Sequence, residues 1–317
     1  MAVYTKLSDE EILDVLAQFS IASVRYTQGI AKGSENSNYF VETSSGKYVL
    51  TIFESRTNEE NIPPILDMLS KLGEANIICP NTIAATTGQR RYVLPSGKIC
   101  ILQTFMDGED ILMPSTIQCY AAGKTLANIH NVSATIDNPD INNSLDKPAL
   151  IALFAELKTA PESEKYDTVN NLISEEFEFQ NNILKIDLPS GFIHGDYFKD
   201  NVLFTETFVS GVIDFWFASN GSYIYDLAIA LNAWGFKNGV FAEDEFNAFL
   251  KGYTDRRPLT DLERKHLPDK LRLAAVRFLI TRLHDKLYGK SSAIMANKPF
   301  QTWEKRLQYL QNKQWNF

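Results

Sequence analysis

The stretch FIHGDYFKDNVLFTETFVSGVIDF, residues 192–215, sets two carboxylates and an amide at fixed spacing. His194-Gly195-Asp196 is followed, five residues after the Asp, by Asn201, and a β-rich segment then ends in Ile213-Asp214-Phe215. These oxygen-bearing groups come from the ends of short strands. No second His or Cys stands nearby to complete a transition-metal site. The set suits a hard cation such as Mg²⁺ and the activation of a hydroxyl nucleophile.

Phosphoryl transfer needs these residue types. Charge spreads over the departing phosphoryl group, and an Asp and an Asn supply oxygen ligands for the Mg²⁺ that meets it. A further Asp orients the attacking hydroxyl and takes its proton. In the pattern H-x-D-x-x-x-x-N followed by D-F, the expected base is Asp196, the expected Mg²⁺ ligands are Asn201 and Asp214, and His194 holds the loop. Taken singly, Asp196 and Asn201 are ordinary turn residues and Asp214 an ordinary strand end. Their joint spacing between strands favours the chemistry.

Working outward, 317 residues suffice for two lobes, each with its own core. Hydrophobic residues make up 44% and charged ones 22%, an ordinary globular balance. A net charge of −8 argues against a general nucleic-acid binder. The opening MAVYTKLSDEEILDVL has no basic segment followed by a long apolar run, and no later stretch is long and apolar enough to span a bilayer, so a non-secreted, cytoplasmic protein without a membrane partner is expected. Cys79, Cys100 and Cys119 show no C-x-x-C spacing and read as buried small hydrophobes. A monomer and a homodimer both stay open.

Ser8-Asp9-Glu10-Glu11 has the form of a capping box ahead of Ile12, Leu13, Val15, Leu16 and Phe19, which predicts a short amphipathic helix. From Ser23 to Phe53, alternating β-branched and aromatic residues predict antiparallel strands, with a turn at Ser44–Lys47. The loop from Gly29 to Asn38 contains Gly33, Ser34 and Asn36, residues whose backbone turns sharply and whose amides and side chains bond phosphate oxygens. Ahead of the D-x-x-x-x-N and D-F pair, it is the flap that an ATP site requires. The next strand lacks the lysine that kinases set against the α- and β-phosphates, because alternation from Val49 puts Thr51 there. The nearest cations are Lys47 and Arg56. Arg56 is the candidate replacement, and the alternative is that Mg²⁺ and loop amides suffice.

Residues 59–74 predict the main helix of this lobe, and further strands are expected at Thr82–Ala85, Arg90–Leu94 and Lys98–Phe105. The run from Ile101 to Gly108 is the natural hinge, where an adenine would lie near Gln103 and Phe105. After Pro114 the chain turns mostly helical, with helices over 117–130, 148–158, 165–185, from Tyr225, over 260–288 and over 303–310. The strongly charged faces of the second and third read as solvated surface. His130 reads as a structural hydrogen-bonding residue. Asp226 either lines the acceptor site or braces the catalytic loop, the second being favoured. Arg277 and Arg282 interrupt an apolar face, so they pair with Asp285 or meet a substrate carboxylate. The division expected is a nucleotide-binding lobe at 1–106 and a catalytic, substrate-binding lobe at 107–317.

With H-G-D-x-x-x-x-N, I-D-F and the Y-D-L-A helix in place, residues 190–235 resemble the aminoglycoside-phosphotransferase branch of the protein-kinase-like fold. MAVYTKLSDEEI, GIAKGSENSNYFVET, YVLTIFESR, DLAIALNAWGF and RFLITRLHD extend the likeness from Met1 to about residue 287 and are similar to the bacterial homoserine kinases of that fold, the Thr51 departure included. The resemblance implies an α+β, two-lobed fold, with an antiparallel-sheet N-lobe carrying one main helix and a mostly helical C-lobe. It further implies ATP- and Mg²⁺-dependent phosphorylation of the side-chain hydroxyl of L-homoserine, a step towards threonine. The acceptor contacts would then come from Asp196, Asp226, Arg277 and Arg282. A kinase for another small alcohol, such as an aminoglycoside, choline or methylthioribose, is the nearest competing reading. A degenerate nucleotide-binding protein is the other, motivated by the absent lysine.

Overall fold

The computed structural model describes residues 3–31, 36–54, 57–183, 186–237, 239–288, 299–315 and 317. The first helix, α1 (Asp9–Gln18), starts where the capping box places it: Glu11 N donates to Ser8 Oγ at 3.2 Å and Ser8 N to Glu11 Oε2 at 2.7 Å. Antiparallel strands β1 (Val24–Gly29), β2 (Ser37–Thr43) and β3 (Lys47–Ile52) follow. Helix α2 (Ile62–Glu74) comes next, its two prolines in the first turn where a missing N–H costs nothing. Short strands β4 (Thr82–Ile83) and β5 (Tyr92–Val93) then flank the long β6 (Ile99–Thr104), giving the order β1-β2-β3-β6-β4 with β5 also on β6.

Strand alternation decides what each face meets. Tyr39 and Val41 on β2, Leu50 and Ile52 on β3, and Cys100 and Leu102 on β6 bury against Ile12, Val15, Leu16 and Phe19 of α1. Residues of the opposite parity, Ile99 and Ile101, join Ile65, Leu66 and Leu69 of α2 in a second cluster that runs on into the C-lobe. Val49, Thr51 and Gln103, on that same inner face, border a cavity.

The C-lobe is mostly helical. It comprises α3 (Thr116–Ser133), α4 (Lys147–Thr159), α5 (Asp167–Asn182), α6 (Tyr223–Trp234), α7 (Glu243–Thr254), α8 (Asp261–Leu287) and α9 (Phe300–Asn312). Every residue of α6 is buried. Two small antiparallel ladders flank residues 194–201 and Asp214. One pairs β8 (Ser190–Ile193) with β11 (Ser219–Ser222). The other joins β9 (Val202–Thr205) to β10 (Phe208–Val212) and also to β7 (Glu109–Asp110), which ties the segment leaving β6 into the C-lobe. A last pair, β12 (Phe236–Lys237) and β13 (Val240–Phe241), precedes α7.

Neither β7 nor α7 is foreseen from the sequence. Helix α7 crosses α3 at glycines: a Cβ on Gly252 would lie 2.0 Å from the carbonyl oxygen of Tyr120, and one on Gly123 would lie 2.1 Å from that of Phe249. The close crossing that stabilises α7 therefore depends on a residue that lowers its helix propensity. Among the described residues, no helix is long and apolar enough to cross a membrane.

Candidate active site

Two cavities adjoin the region of residues 196–214. The first, about 310 Å³, is bounded above by Ile30, Asn36, Asn38, Val49 and Thr51, at its back by Gln103–Met106, and below by Asp200, Asn201, Leu203, Ile213, Asp214 and Trp216. The second, about 400 Å³, lies between the Asp196 loop, α4 and α8, and its lining includes Asp196, Asp214, Glu156, Arg277, Arg282 and His284. Asp214 lines both.

The ladders explain this convergence. Strand β8 delivers Ile193 to a pair with Ser219, so the loop from His194 begins at a fixed ladder end. The hairpin β9–β10 starts one residue after Asn201 and stops two before Asp214. His194 joins the two: its Nε2 donates to the Ile213 carbonyl at 3.0 Å and its Nδ1 accepts from Asp196 N at 3.2 Å. Only the neutral imidazole protonated on Nε2 satisfies both bonds. Burial drives its pKa down, against the pull of the Asp226 and Asp196 charges. At Gly195 φ is +75°, and a Cβ would lie 2.3 Å from the Phe217 carbonyl oxygen. Glycine alone fits there.

Asn201 donates its Nδ2 to the Asp196 carbonyl at 2.8 Å and to Asp196 Oδ2 at 3.2 Å. The amide nitrogen is committed, and Oδ1 is the atom left to coordinate a cation. Asp214 has φ 65° and ψ 56°, a left-handed conformation for a residue with a side chain. Such strain, of order 1–3 kcal/mol, persists where surrounding structure enforces it. Here the flanking ladder and the His194–Ile213 bond do so, and the carboxylate is presented to both cavities.

Asp226 does not line the second cavity, which corrects its placing among the acceptor contacts and leaves the favoured reading, the brace. Fully buried, its Oδ2 accepts from His194 N at 2.8 Å and from His130 Nε2 at 2.9 Å, and its Oδ1 accepts from Gly195 N at 2.8 Å. Burial raises its pKa, but the hydrogen bond from His130, the neighbouring imidazoles and the His194 amide outweigh burial and leave it below the usual carboxylate value. Asp226 is a brace. His130 extends the chain of bonds, its Nδ1 accepting from Tyr253 Oη at 2.7 Å, while Arg257 donates to Tyr253 Oη at 3.3 Å and to Glu263 at 2.8 Å. His130 is buried, which lowers its pKa despite the Asp226 charge.

Of the expected nucleotide-binding residues, Asn36, Gln103 and Phe105 line the first cavity. Gly29 does not: it closes β1, paired with Tyr39. Gly33, Ser34 and Arg56 lie outside the described residues. Thr51 donates its hydroxyl to Asn38 Oδ1 at 2.7 Å, a neutral pair where a lysine was sought. Lys47, four residues earlier on the same strand face, lies 4.0 Å from Asp107, with both side chains largely exposed. None of the described residues lining this cavity is Lys or Arg. Asp200 and Asp110 line it as well and carry no role in the sequence reading, although Asp200 adjoins Asn201 in the motif.

Arg277 is 2% exposed, donates Nη1 to the Gly195 carbonyl at 2.9 Å, and has no hydrogen-bond partner for Nε among the described residues. Arg282 lies 3.6 Å from Asp285, the ion pair expected as one alternative, and it lines the second cavity as well. Glu156 of α4 and His284 of α8, 3.2 Å apart, also line the second cavity. Sequence reasoning assigns this face of α4 to solvent, and Glu156 is 58% exposed; what the sequence does not show is that the face borders a cavity beside α8. The three cysteines are buried and free, with thiol pKa values pushed up to about 12 by burial, which leaves them protonated and unreactive.

Residues 27–260 match the phosphotransferase enzyme family, APH. The homoserine kinase of Methylorubrum populi is 36% identical over 98% of this chain and 96% of its own length. Among solved structures, the amicoumacin kinase hAmiN in complex with AMP-PNP and Ca²⁺ superposes with a TM-score of 0.74 at 16% identity, covering 96% of this chain and 94% of that one. A microcompartment-associated aminopropanol kinase superposes with a TM-score of 0.67 at 20% identity, covering 96% and 97%. At such identities the structural likeness is one of fold, the two-lobed kinase-like architecture. The chain belongs to the APH family of phosphotransferase enzymes, alongside the homoserine kinases to which it is similar over nearly its whole length.

Proposed function

We propose that the chain transfers the γ-phosphoryl group of ATP to the side-chain hydroxyl of L-homoserine, giving O-phospho-L-homoserine and ADP. The observation that carries this reading is the junction of two cavities at Asp214, one fit for a nucleotide and one holding Asp196 together with Arg277 and Arg282. The similarity to homoserine kinases supplies the identity of the acceptor. We place ATP in the first cavity, its adenine near Gln103 and Phe105, with residues 1–106 as the nucleotide-binding lobe and 107–317 as the catalytic one.

Asp196 accepts the hydroxyl proton as the acceptor oxygen bonds to the γ-phosphorus and the bond to the β–γ bridging oxygen breaks. Its position is set by its own N–H on His194 and by Asn201 on its carboxylate. Arg277 and Arg282 receive the amino-acid carboxylate, since both line the second cavity and a guanidinium offers a planar fork of donors that matches a carboxylate. Asn201 Oδ1 and the Asp214 carboxylate are hard oxygen donors that fit Mg²⁺. Bound there, the ion would neutralise charge on the phosphate oxygens.

ADP release measured with homoserine, serine, threonine, choline, methylthioribose and an aminoglycoside tests the reading. Homoserine is expected to exceed serine, one methylene shorter, by at least about tenfold in kcat/KM. No advantage for homoserine would overturn the acceptor assignment and leave the family standing.

A further inference from the structure

Strand β2 has two working faces. Asn36 and Asn38, at its entry, point into the nucleotide cavity, and the residues between and after them, Ser37 and Tyr39, point the other way. On that outer side runs the segment from Val3 to Leu7. Ser37 Oγ is completely used by it and by one carboxylate: it accepts from Tyr4 N and Thr5 N, each at 2.8 Å, and donates to Glu54 Oε1 at 2.7 Å. Tyr39 Oη donates to the Thr5 carbonyl at 2.8 Å and accepts from Leu7 N at 2.8 Å. Thr5 Oγ1 donates to Glu54 Oε1 at 2.7 Å and accepts from Lys98 Nζ at 2.6 Å. Lys98 also pairs with Glu54 Oε2.

The same segment reaches the other root of the glycine loop. A Cβ on Gly29 would lie 2.9 Å from Cγ2 of Val3, so Val3 packs flat on the last residue of β1. Glu54 connects back to the cavity side, because its backbone N donates to Asn36 Oδ1 at 3.2 Å. Ile30 N bonds the Asn38 carbonyl at 2.8 Å, closing the base of the loop. Both roots, Gly29–Ile30 and Asn36–Asn38, are thereby clamped from outside by residues 3–7.

We propose that residues 3–7 are a positioning strap for the nucleotide: they fix the roots of the glycine loop, and so set Asn36, Asn38 and the backbone at Ile30 against ATP. The need for such a device follows from Thr51. With a neutral residue at the strand position facing the phosphates, more of the positioning falls on the loop. The strap touches neither Asp196 nor the acceptor cavity, so its effect belongs to the nucleotide alone.

This rests on the nucleotide reading of the first cavity, and the test separates the two. In the full chain, Thr5→Val keeps side-chain volume and removes both hydrogen bonds of Oγ1. The expected result is a KM for ATP raised about tenfold, the effect of losing one to two partly buried hydrogen bonds, with kcat and the KM for homoserine within about twofold. Thr5→Ser restores the parent value. Tyr39→Phe is read in the same way and serves if Thr5→Val does not fold. A lowered melting temperature with an unchanged KM for ATP in these variants would make the strap a structural staple only and overturn the proposal. Val49→Trp, which fills the cavity without touching the strap, is measured alongside with a fluorescent ATP analogue. Binding lost in Val49→Trp but untouched in Thr5→Val overturns the strap alone. Binding unchanged in Val49→Trp overturns the cavity assignment and the proposal with it.

Discussion

Asp226 makes three hydrogen bonds, and two of them hold the backbone of the loop that carries Asp196. Asp226→Asn would turn an –NH₂ towards at least one of these donors and remove the charge, so a loss of about 3 kcal/mol in unfolding free energy is expected by urea denaturation. Turnover should fall with it, since the loop is held through the same atoms. The two buried imidazoles give a pH signature. Burial holds His130 and His194 below their ordinary value of 6.5, Asp226 facing both, with Asp196 facing His194 and Arg257 and Glu263 near His130. Below about pH 6.5 the unfolded chain binds protons that the folded chain refuses, so stability falls as pH is lowered, by up to about 1.4 kcal/mol per pH unit for each histidine. Denaturation curves between pH 7.5 and 5 check this. A flat profile would mean that the two rings take up protons in the fold as readily as in the unfolded chain. Much of this residue-level detail was legible. His194, Asp196, Asn201 and Asp214 stand out by spacing. Arg277 stood out as a charge on an apolar face. Glu156 did not, because nothing local tells an exposed acid on an amphipathic helix that a neighbouring helix makes a cavity wall with it.

The elements that the sequence predicts are those whose signals are local. The capping box of α1, the alternation of β2 and β3 and the apolar stripe of α8 need no knowledge of distant residues. Strand β7 and helix α7 depend on distant partners: β7 is two residues long and exists by pairing with β9, and α7 exists by its crossing with α3. Substitution of Gly252 by Ala is therefore expected to destabilise the protein by about 3 kcal/mol, although alanine is the better helix former, because its Cβ would sit against the Tyr120 carbonyl. A melting temperature at or above that of the parent would show that the two helices have room to separate. At the same scale, β3 explains how the site works without a strand lysine. Thr51 and Asn38 satisfy each other, which spares the inner face a buried polar group without a partner and leaves phosphate binding to other groups.

In the whole molecule, two lobes meet over one shared aspartate. The N-lobe sheet contributes one wall of the first cavity, the C-lobe ladders contribute the other, and α4 with α8 lines the second. The lobes share a continuous core through α2, whose Ile65, Leu66 and Leu69 belong to the same cluster as the C-lobe helices. That continuity fixes the cavities relative to each other, which the transfer of a group between them requires. The two-lobed architecture was legible because the D-x-x-x-x-N and D-F spacing is specific. The second cavity was not, since its walls come from segments more than a hundred residues apart. The central claim is that Asp196 takes the proton of a homoserine hydroxyl aligned with ATP. The direct test is single-turnover formation of O-phosphohomoserine by the parent and by Asp196→Asn, with nucleotide affinity measured on both. A rate lowered by about 10²–10⁴-fold at unchanged nucleotide affinity is expected, and near-normal turnover by Asp196→Asn would contradict it.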